Sequence, residues 1–531
     1  MSIRTRFAPS PTGYLHIGSL RAALYPFLFA KNLGGKFILR VEDTDRERLV
    51  HDAADKLIEM LEWAGITPDE GPKQNGDFGP YIQSERQNKH HKYVGQLLES
   101  KNAYKCFCTK ERLDKLREEQ KASGQAPMYD KKCRNLSPEE IQANLDAKIP
   151  YVIRQAIPEN KTVEVKDLVR GKIVFDTNTL DDHVLLKTDG FPTYHLAAIC
   201  DDIDMQITHI FRGEEWLPSA PKHILLFIAL GAKPPKYGHL PLILGDNKKK
   251  LSKRTNDVSV ESYIEKGFLK ESIINYIALL GFNTGDGQEI LSMNELIEKF
   301  DIKRVQKAGA IFDLDKFKWI DWQWKRKLYT EQIKNFARAI QADCVINENK
   351  KGAVNVSFDS DDKLLEFYYK KGNLLETYLT ADTVRTLEEN IKDKNKLYQA
   401  LVSLEEKILK APDTILQEID LFFQTPQSTD FKPELFEHEK MQVTRDIALK
   451  ALQNLVLHLK EEDFGSIDKL REKFITVIKE LELKNGQVLW PTRVALSNKE
   501  FSPGAFELAY ALGFNESLLR IKNAIEALGL Q

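Results

Sequence analysis

A histidine, a glycine and a serine stand together where an extended segment gives way to an apolar, helix-like one. In APSPTGYLHIGS, His16, Gly18 and Ser19 follow a Pro-Thr-Gly turn. The first backbone N–H groups of a helix have no partner within the helix, so they attract phosphate. His16 can donate to a phosphate oxygen, Gly18 lets a nucleotide approach the backbone, and Ser19 adds a hydroxyl. The same pattern also fits an ordinary helix start with a surface histidine and a capping serine.

A run of cations forms a second group that could bind phosphate. In NKKKLSKRT, Lys248, Lys249, Lys250, Lys253 and Arg254 follow the strand-like segment HLPLIL. The run lacks the glycines of a Walker A loop. Clustered cations suit a polyphosphate whose negative charge redistributes during a reaction. The alternative is a solvated basic turn, which is the usual role of a charge run.

Three cysteines form a third group. Cys106 and Cys108 are one residue apart in YKCFC, and Cys133 follows a charged, helix-like segment. Three thiolates with one short spacing suit zinc, which takes four ligands in a tetrahedron. The alternative is three reduced cysteines without a metal. Cys200 and Cys344 fit ordinary core positions.

The HIGS and KLSKR segments, one near the N-terminus and one at the end of an α/β region, resemble the two signatures of class I aminoacyl-tRNA synthetases. Four intervening segments resemble bacterial glutamyl-tRNA synthetases in particular: RVEDTD (40–45), GPYIQSERQ (79–87), DGFPTYHLA (189–197) and RGEEW (212–216). The likeness continues through AGAIFDLDKFKWI and GQVLWPTRVALSNKEFSPGAFELAYALG. It therefore covers nearly the whole chain.

The resemblance implies ATP-dependent activation of L-glutamate to glutamyl-adenylate, followed by transfer to the terminal ribose of tRNA(Glu). It places His16 and Lys253 on opposite sides of the triphosphate, with Lys250 in the same loop as Lys253. Gly18 and Ser19 would pack against the nucleotide, and Mg²⁺ would accompany ATP. Because the substrate carboxylate attacks phosphorus itself, catalysis must consist of positioning and charge stabilisation.

Glutamate recognition needs cations for two carboxylates and an anion for one ammonium group. The resemblance implies Arg6, Tyr194 and Arg212 around the carboxylates, and Ser10 and Glu42 around the ammonium. Arginine suits this role because its planar fork pairs with two carboxylate oxygens at once.

Arg6 and Glu42 have an alternative role in the sheet. They could pair with each other, or with Asp43 and Asp45, at the ends of strands. The family pattern therefore decides their assignment to the amino acid.

For other residues near these motifs, the resemblance does not decide between a role in binding and a role in packing. The resemblance places Glu215 and Trp216 near ATP, although Trp216 equally fits a packing role. Some relatives carry an asparagine where this chain has Ala198, so that position is not assigned to the substrate. His195 fits either a supporting role beside the amino acid or simple packing.

For the cysteines, the resemblance implies a structural zinc in some relatives. The fourth ligand there is either a histidine two residues after the last cysteine or a tyrosine four residues before it. Here Asn135 occupies the first position and Tyr129 the second. The implied ligand set is Cys106, Cys108, Tyr129 and Cys133.

The elements that must position these residues begin with alternating strands and helices, which predict a parallel sheet. We expect a Rossmann-type α/β catalytic domain at 1–100 plus 190–257, and an inserted α+β acceptor-stem-binding domain at 101–189. A helical stem-contact domain follows at 258–330. An all-helical anticodon-binding region, of one or two subdomains, occupies 331–531.

The composition limits which partners and which cellular compartment are expected for this chain. The chain has 77 basic and 79 acidic residues, so a basic RNA-binding face would have to be local. No apolar run approaches the roughly 18 residues that span a bilayer, and the N-terminal segment does not fit a signal peptide. Five cysteines in 531 residues do not make a disulfide scaffold. We expect a cytoplasmic monomer with no membrane partner.

Rival functions remain. A glutaminyl-tRNA synthetase is the nearest, and RVEDTD and GFPTYHLA disfavour it. A truncated relative that modifies a tRNA base would lack the long helical region, and a small-molecule adenylyltransferase would have little use for it. A degenerate, purely RNA-binding synthetase would not need His16 and Lys253. Whether tRNA must bind before activation, and whether tRNA(Gln) is also charged, stay open.

Overall fold

The protein is described by a computed structural model over residues 2–11, 15–44, 52–245, 248–251, 259–348, 354–391 and 393–529. It divides into two compact units, Met1–Asp321 and Trp322–Gln531. Across these described ranges, no helix has both the length and the apolar character needed to cross a membrane.

The first unit contains a large sheet and a smaller one. Its strands are β1 (Arg4–Phe7), β2 (Lys36–Leu39), β3 (Ala103–Cys106), β4 (Val152–Gln155), β5 (Thr162–Asp167), β6 (Gly171–Asp176), β7 (Val184–Leu186), β8 (His209–Gly213), β9 (Lys236–Leu240), β10 (Ile243–Leu244) and β11 (Ala310–Ile311). Six form one sheet in the order β2-β1-β8-β9-β5-β6, with every neighbouring pair parallel except β5 and β6. This mainly parallel sheet confirms the Rossmann-type prediction.

The segment predicted as an insertion, 101–189, contributes to both sheets. Strands β3, β4 and β7 form a separate antiparallel sheet, whereas β5 and β6 extend the large parallel one. The large sheet therefore includes residues on both sides of the proposed boundary. Alternation in β5, where Val163, Val165 and Asp167 are buried between exposed neighbours, shows that one face of this edge is covered.

Helices surround the sheets of the first unit. They are α1 (Ile17–Asn32), α2 (Ala53–Trp63), α3 (Gln87–Glu99), α4 (Lys110–Ala122), α5 (Pro138–Asp146), α6 (Tyr194–Asp204), α7 (Ala220–Ala229), α8 (Val260–Glu265), α9 (Lys270–Leu279), α10 (Met293–Lys299) and α11 (Leu314–Ile340), which begins in this unit. Helix α1 is almost wholly buried, and its Phe27 and Phe29 lie edge-on or tilted against Phe37 and Phe211 of the sheet. This packing fixes the start of α1 beside the end of β1.

Helix α6 carries buried acids at its C-terminal end. The Asp201 carboxylate accepts hydrogen bonds from Arg86 Nε at 2.5 Å, from Gln83 Nε2 at 2.8 Å, and pairs with His90 Nε2 at 2.9 Å. All four side chains are buried. Burial alone would raise the pKa of Asp201, but His90, Arg40 and Arg86 lower it to about 2. This cluster joins α3 to α6 under the sheet.

The second unit is helical apart from one hairpin. Its remaining helices are α12 (Asp361–Glu376), α13 (Ala381–Asn390), α14 (Lys394–Ser403), α15 (Glu405–Lys410), α16 (Ile415–Ile419), α17 (Arg445–His458), α18 (Ile467–Glu480), α19 (Asn485–Ser497) and α20 (Ala505–Gly529). Strands β12 (Val345–Glu348) and β13 (Val354–Ser357) pair in antiparallel fashion, within the region expected to be entirely helical. This hairpin corrects the all-helical prediction: each of its strands has only four residues, too few for the sequence pattern to separate a strand from a helix or loop.

We expect Asp201→Asn to lower the free energy of unfolding of the first unit by about 3 kcal/mol, because Arg86 would lose its buried counter-ion. The pKa of Asp201, about 2, lies below the ordinary aspartate value of about 3.9. Its charge therefore stabilises the fold at neutral pH, and this contribution is lost as pH falls from about 5 towards 2. Urea unfolding at several pH values measures both effects.

The matched control is Asp204→Asn on the same helix. Asp204 also pairs with Arg86, at 2.8 Å, but it is partly exposed, so its loss should cost no more than about 1 kcal/mol. Equal losses for the two variants, or unchanged acid sensitivity in Asp201→Asn, would contradict this account of the cluster.

Candidate functional site

A cavity of about 1060 Å³ opens at the carboxyl ends of β1, β2, β8 and β9. In parallel α/β sheets this edge is where ligands bind. Eleven of the residues singled out from the sequence line it: Arg6, Ser10, His16, Gly18, Ser19, Glu42, Tyr194, Arg212, Glu215, Trp216 and Lys250. Lys253, the other residue assigned to the triphosphate, lies outside the described residues. The fold thus brings segments that are more than 200 residues apart, such as those of Arg6 and Lys250, to one cavity.

Arg6, on β1, is paired differently from what the sequence alternative proposed. Its Nε and Nη2 donate to the carboxylate of Asp202 on α6, at 3.2 and 3.5 Å. Both side chains are buried. The alternative role had paired Arg6 with Asp43 or Asp45. The Asp43 carboxylate instead accepts from the backbone N–H and the hydroxyl of Ser84, and Asp45 is outside the described residues. Within the described residues, Arg6 is thus held by Asp202 and not by Asp43.

Glu42 is held by Arg40, a residue that sequence reasoning did not select. Arg40 is fully buried and donates from Nη2 to Glu42 at 3.1 Å and from Nη1 to Asp202 at 2.7 Å. Burial raises the pKa of Glu42, and the nearby guanidiniums of Arg40 and Arg6 offset this only in part. The carboxylate is consequently ready to gain from a cation in the cavity.

Tyr194 and Arg212 complete this end of the cavity. Tyr194 is the first residue of α6, and its ring lies 4.5 Å from that of Trp216. Burial raises the pKa of Tyr194, so its phenol keeps its proton and can donate. Arg212, near the end of β8, is buried and donates from Nη2 to the Trp216 carbonyl at 3.2 Å. Trp216 thereby contributes through its backbone as well as its ring.

The start of α1 forms the other end of the cavity. His16 is the N-cap of the helix: its Nδ1 accepts from the Ser19 N–H at 3.1 Å. The remaining ring proton therefore lies on Nε2, which is 2.9 Å from Ser19 Oγ. A Cβ at position 18 would lie 3.0 Å from the His16 ring, so Gly18 is needed for this arrangement. The cap is thus histidine, where the sequence alternative assigned it to serine.

Lys250 and Glu215 lie together on the cavity wall. Lys250 Nζ is 3.6 Å from Glu215 Oε1, and both side chains are exposed. Glu215 folds back over Gly213, where a Cβ would come within 2.1 Å of its carboxylate. An exposed pair of this kind contributes little stability and can exchange partners when a charged ligand enters.

The three cysteines converge as their spacing predicted. The sulfur atoms of Cys106, Cys108 and Cys133 lie within 4.8 Å of one another, and Cys108 and Cys133 are 3.5 Å apart. The Tyr129 hydroxyl is 3.3 Å from Cys106 Sγ and 3.5 Å from Cys108 Sγ. Burial alone would raise the pKa of Cys106, but hydrogen bonds with Tyr129, with the backbone of Cys108 and with Arg154 lower it. Thiolates about 3.8 Å apart are what a tetrahedral ion with 2.3 Å bonds to sulfur requires.

Several residues that organise the cavity were missed from the sequence. They are Arg40, Asp167, Asp201, Asp202, His223 and His239. One signal for two of them was present in the sequence. Asp201 and Asp202 of LAAICDDID interrupt an apolar helix seven and eight residues after Tyr194, on turns that face the sheet. Ala198, which departs from the family pattern, is fully buried in this helix.

Two family models match the chain. The model described as tRNA synthetases class I (E and Q), catalytic domain, matches residues 2–319. The model described as anticodon binding domain matches residues 372–525.

The chain is also similar to curated proteins over its full length. It is 42% identical to a glutamate–tRNA ligase of Clostridium tetani over 99% of this chain and 98% of that protein. It is 41% identical to one of Chloroherpeton thalassium over 100% of this chain and 99% of that protein.

Solved structures give a matching result. A glutamate–tRNA ligase of Elizabethkingia meningosepticum, crystallised in complex with its amino acid, aligns with a TM-score of 0.74 at 35% identity. A glutamate–tRNA synthetase of Elizabethkingia anophelis aligns with a TM-score of 0.75 at 35% identity. Each alignment covers 99% of this chain and 100% of the solved chain.

Proposed function

The chain belongs to the class I tRNA synthetases of the E and Q type, and we propose that it attaches L-glutamate to tRNA(Glu) in two steps, using ATP. The observation that carries this proposal is one cavity that contains both side chains suited to an amino acid and side chains suited to a polyphosphate. A glutaminyl enzyme and other adenylate-forming nucleotidyltransferases would share the nucleotide end. The amino-acid end therefore decides between them.

The first step needs no protein nucleophile. An oxygen of the glutamate α-carboxylate attacks the α-phosphorus of ATP, and the bond to pyrophosphate breaks, giving glutamyl-adenylate. Charge develops on the phosphate oxygens, so fixed donors lower the barrier most. His16 Nε2–H and Lys250 are donors of this kind, and we assign Lys253 to the same role. When bound with ATP, Mg²⁺ would supply further positive charge beside the phosphates.

Glutamate is held by cations on one side and an anion on the other. We assign Arg212, Arg6 and Tyr194 to its carboxylates, and Glu42 and Ser10 to its ammonium group. The raised pKa of Glu42 supports this assignment, because a buried carboxylate gains most from a cation that enters beside it.

In the second step the ribose 2′-OH at the end of tRNA(Glu) attacks the carbonyl carbon of the adenylate, and AMP leaves. Gly18, Ser19 and Glu215 would hold the adenosine and ribose while this happens.

We assign 1–100 plus 190–257 to catalysis, 101–189 to the acceptor stem, 258–330 to the adjoining stem and 331–531 to the anticodon. The match of 372–525 to an anticodon-binding family supports the last assignment. We expect the protein to act as a cytoplasmic monomer.

We further propose that Cys106, Cys108, Cys133 and Tyr129 hold a structural zinc ion. The three sulfur atoms and the phenol oxygen lie close enough to ligate one ion. When bound, zinc would supply a cross-link between β3 and the segment that follows α4. The hydroxyl of Tyr129 now accepts from the Cys133 N–H at 2.9 Å, which orients it towards the sulfurs.

The function is tested by amino-acid-dependent exchange of pyrophosphate into ATP. We expect exchange with glutamate and not with glutamine. The assay is run without RNA, with tRNA(Glu) and with tRNA(Gln), so it also shows whether activation needs tRNA.

His16→Ala should lower kcat by about 10²–10³-fold, because a donor to the reacting phosphate is lost. The control is His458→Ala, which changes a partly exposed histidine of the second unit. Exchange that depends on glutamine, or on neither amino acid, rejects the proposal.

The role of Glu42 is tested by pH. Only the ionised carboxylate attracts an ammonium group, and its raised pKa means that it takes up a proton at higher pH than an ordinary glutamate. We expect KM for glutamate to rise as the pH is lowered, beginning at a higher pH than the ordinary glutamate pKa of about 4.3 would give. Glu42→Gln should raise KM about 10–100-fold at pH 8 and remove this rise.

Glu62→Gln is the matched control for Glu42, since Glu62 forms a surface pair with Lys73. It should keep both the KM and its pH dependence. A Glu42→Gln variant that retains the parent's pH dependence of KM would remove Glu42 from the ammonium site.

The zinc proposal is tested by metal analysis of protein purified without chelator. We expect about one zinc per chain, and loss of it in Cys133→Ser. Cys200→Ser, in a buried thiol remote from the cluster, should keep the metal. Tyr129→Phe should weaken zinc binding without abolishing it if the phenol is the fourth ligand. A wild-type protein without zinc contradicts the proposal.

A further inference from the structure

Arg212 is held in the cavity by neutral groups. Its Nε donates to His239 Nε2 at 3.1 Å, and its Nη1 lies 3.1 Å from His223 Nδ1. With the Trp216 carbonyl, these are its hydrogen-bond acceptors within the described part of the chain. The same ranges contain no carboxylate within ion-pair distance of Arg212. Among the described residues, the buried guanidinium therefore has no counter-ion.

Register explains how His239 reaches Arg212. The two residues are directly opposite in the parallel pair of β8 and β9. The Arg212 guanidinium also lies over the ring of Tyr237, at 5.0 Å, two residues before His239 on the same face. Two adjacent strands thus fix the plane of the guanidinium.

Asp167, on β5, fixes the tautomer of His239. Its Oδ2 lies 2.6 Å from His239 Nδ1, so this nitrogen carries the proton and Nε2 is left as an acceptor for Arg212. Burial lowers the pKa of His239, with Asp167 offsetting this only in part, so the ring is neutral at pH 7. Asp167 is itself held by the backbone N–H groups of Val169 and Arg170.

His223 is fixed in a similar way from α7. Since its Nδ1 accepts from Arg212, its Nε2 carries the proton, which it donates to His195 Nδ1 at 2.9 Å. Burial and the charge of Arg212 keep the pKa of His223 well below its ordinary value. Burial lowers the pKa of His195 to about 4. Both rings therefore stay neutral beside the cation.

Arg6 provides the contrast. Its guanidinium is shared with Asp202, so its charge is already balanced before a substrate enters. A guanidinium has five N–H donors, and the three acceptors around Arg212 leave one N–H on each terminal nitrogen. Two donors on two nitrogens are what a carboxylate takes in bidentate pairing.

We propose that Asp167, His239 and His223 are positioning residues that hold Arg212 through neutral acceptors, and so make it specific for a carboxylate over an amide. This rests on the proposed function, which assigns Arg212 to the carboxylates of glutamate, and it adds that the carboxylate on Arg212 is that of the side chain. A glutamine amide would leave the buried cation without a counter-charge, which a site built for pairing rejects. An anion in place of either imidazole would satisfy Arg212 from within the protein and remove this preference.

The experiment compares two substitutions of His239 in the full-length enzyme. Glutamine offers a neutral acceptor to Arg212 and a donor to Asp167, so His239→Gln should keep KM for glutamate within about threefold of the parent. His239→Glu supplies a carboxylate, so KM for glutamate should rise about 10–100-fold while KM for ATP is unchanged. The preference for glutamate over glutamine, measured as the ratio of kcat/KM in pyrophosphate exchange, should fall by a similar factor.

Asp167→Asn tests the tautomer. The amide oxygen can keep the backbone N–H bonds, and its NH₂ group then faces His239 Nδ1, which forces the ring proton onto Nε2. Two donors would then face each other, so KM for glutamate should rise about tenfold with KM for ATP unchanged. The control is His209→Gln. His209 is also a buried histidine, but it lies on β8 and contacts Phe29 away from the cavity, so its substitution should change neither KM.

The outcomes separate the two proposals. A parent enzyme without glutamate-dependent exchange rejects the proposed function, and this inference with it. An active parent whose His239→Glu and His239→Gln variants have the same KM for glutamate, or whose KM for ATP rises equally, overturns the inference alone. If His239→Glu does not fold, His223→Glu and His223→Gln place the same two groups on α7 and are judged by the same criterion.

Discussion

The first unit depends on two adjacent acids at the end of one buried helix. Asp201 pairs with Arg86 and His90, and Asp202 pairs with Arg6 and Arg40. Charges buried in this way are expensive unless every member is paired, so the helix, the sheet and α3 are held in one relative arrangement. Because the same helix begins with Tyr194, the cluster also sets the position of a cavity residue one helix length away.

Charge balance distinguishes the cations of the cavity. Arg6 and Arg40 are compensated by Asp202 and Glu42, whereas Arg212 is surrounded by imidazoles and a carbonyl. An arginine that is paired with a carboxylate can still donate hydrogen bonds to a ligand. An arginine without such a partner also attracts a negatively charged ligand. Among the described residues, Arg212 therefore adds a net positive charge to the cavity, which the paired Arg6 and Arg40 do not.

Much of this arrangement could be predicted from sequence. Local segments such as HIGS and TYHLA carry the residues that line the cavity, and alternation of strands and helices predicts the parallel sheet that gathers them. The cysteine cluster was also predictable, since two of its members are adjacent in space through a short spacing. These signals are local, or they depend on the simple rule that parallel strands end at one edge.

What could not be predicted depends on contacts between distant segments. Nothing near His239 indicates that it faces Arg212, because that follows from the register of two strands separated by a helix. The same is true of Asp202, whose partner Arg6 is 196 residues away in the chain. The hairpin β12–β13 was missed for a different reason: each strand has only four residues, so the alternation in VNVS of β13 is too short to mark a strand.

The central claim, that one cavity holds both substrates with glutamate on Arg212, is tested most directly by a crystal structure with a non-hydrolysable glutamyl-adenylate analogue. The account predicts the analogue in the cavity at the strand ends, with its side-chain carboxylate on both terminal nitrogens of Arg212, its ammonium at Glu42 and its phosphate mimic beside His16. An analogue bound elsewhere, or one whose side-chain carboxylate pairs with a different cation while Arg212 keeps only its imidazole and carbonyl partners, would contradict it.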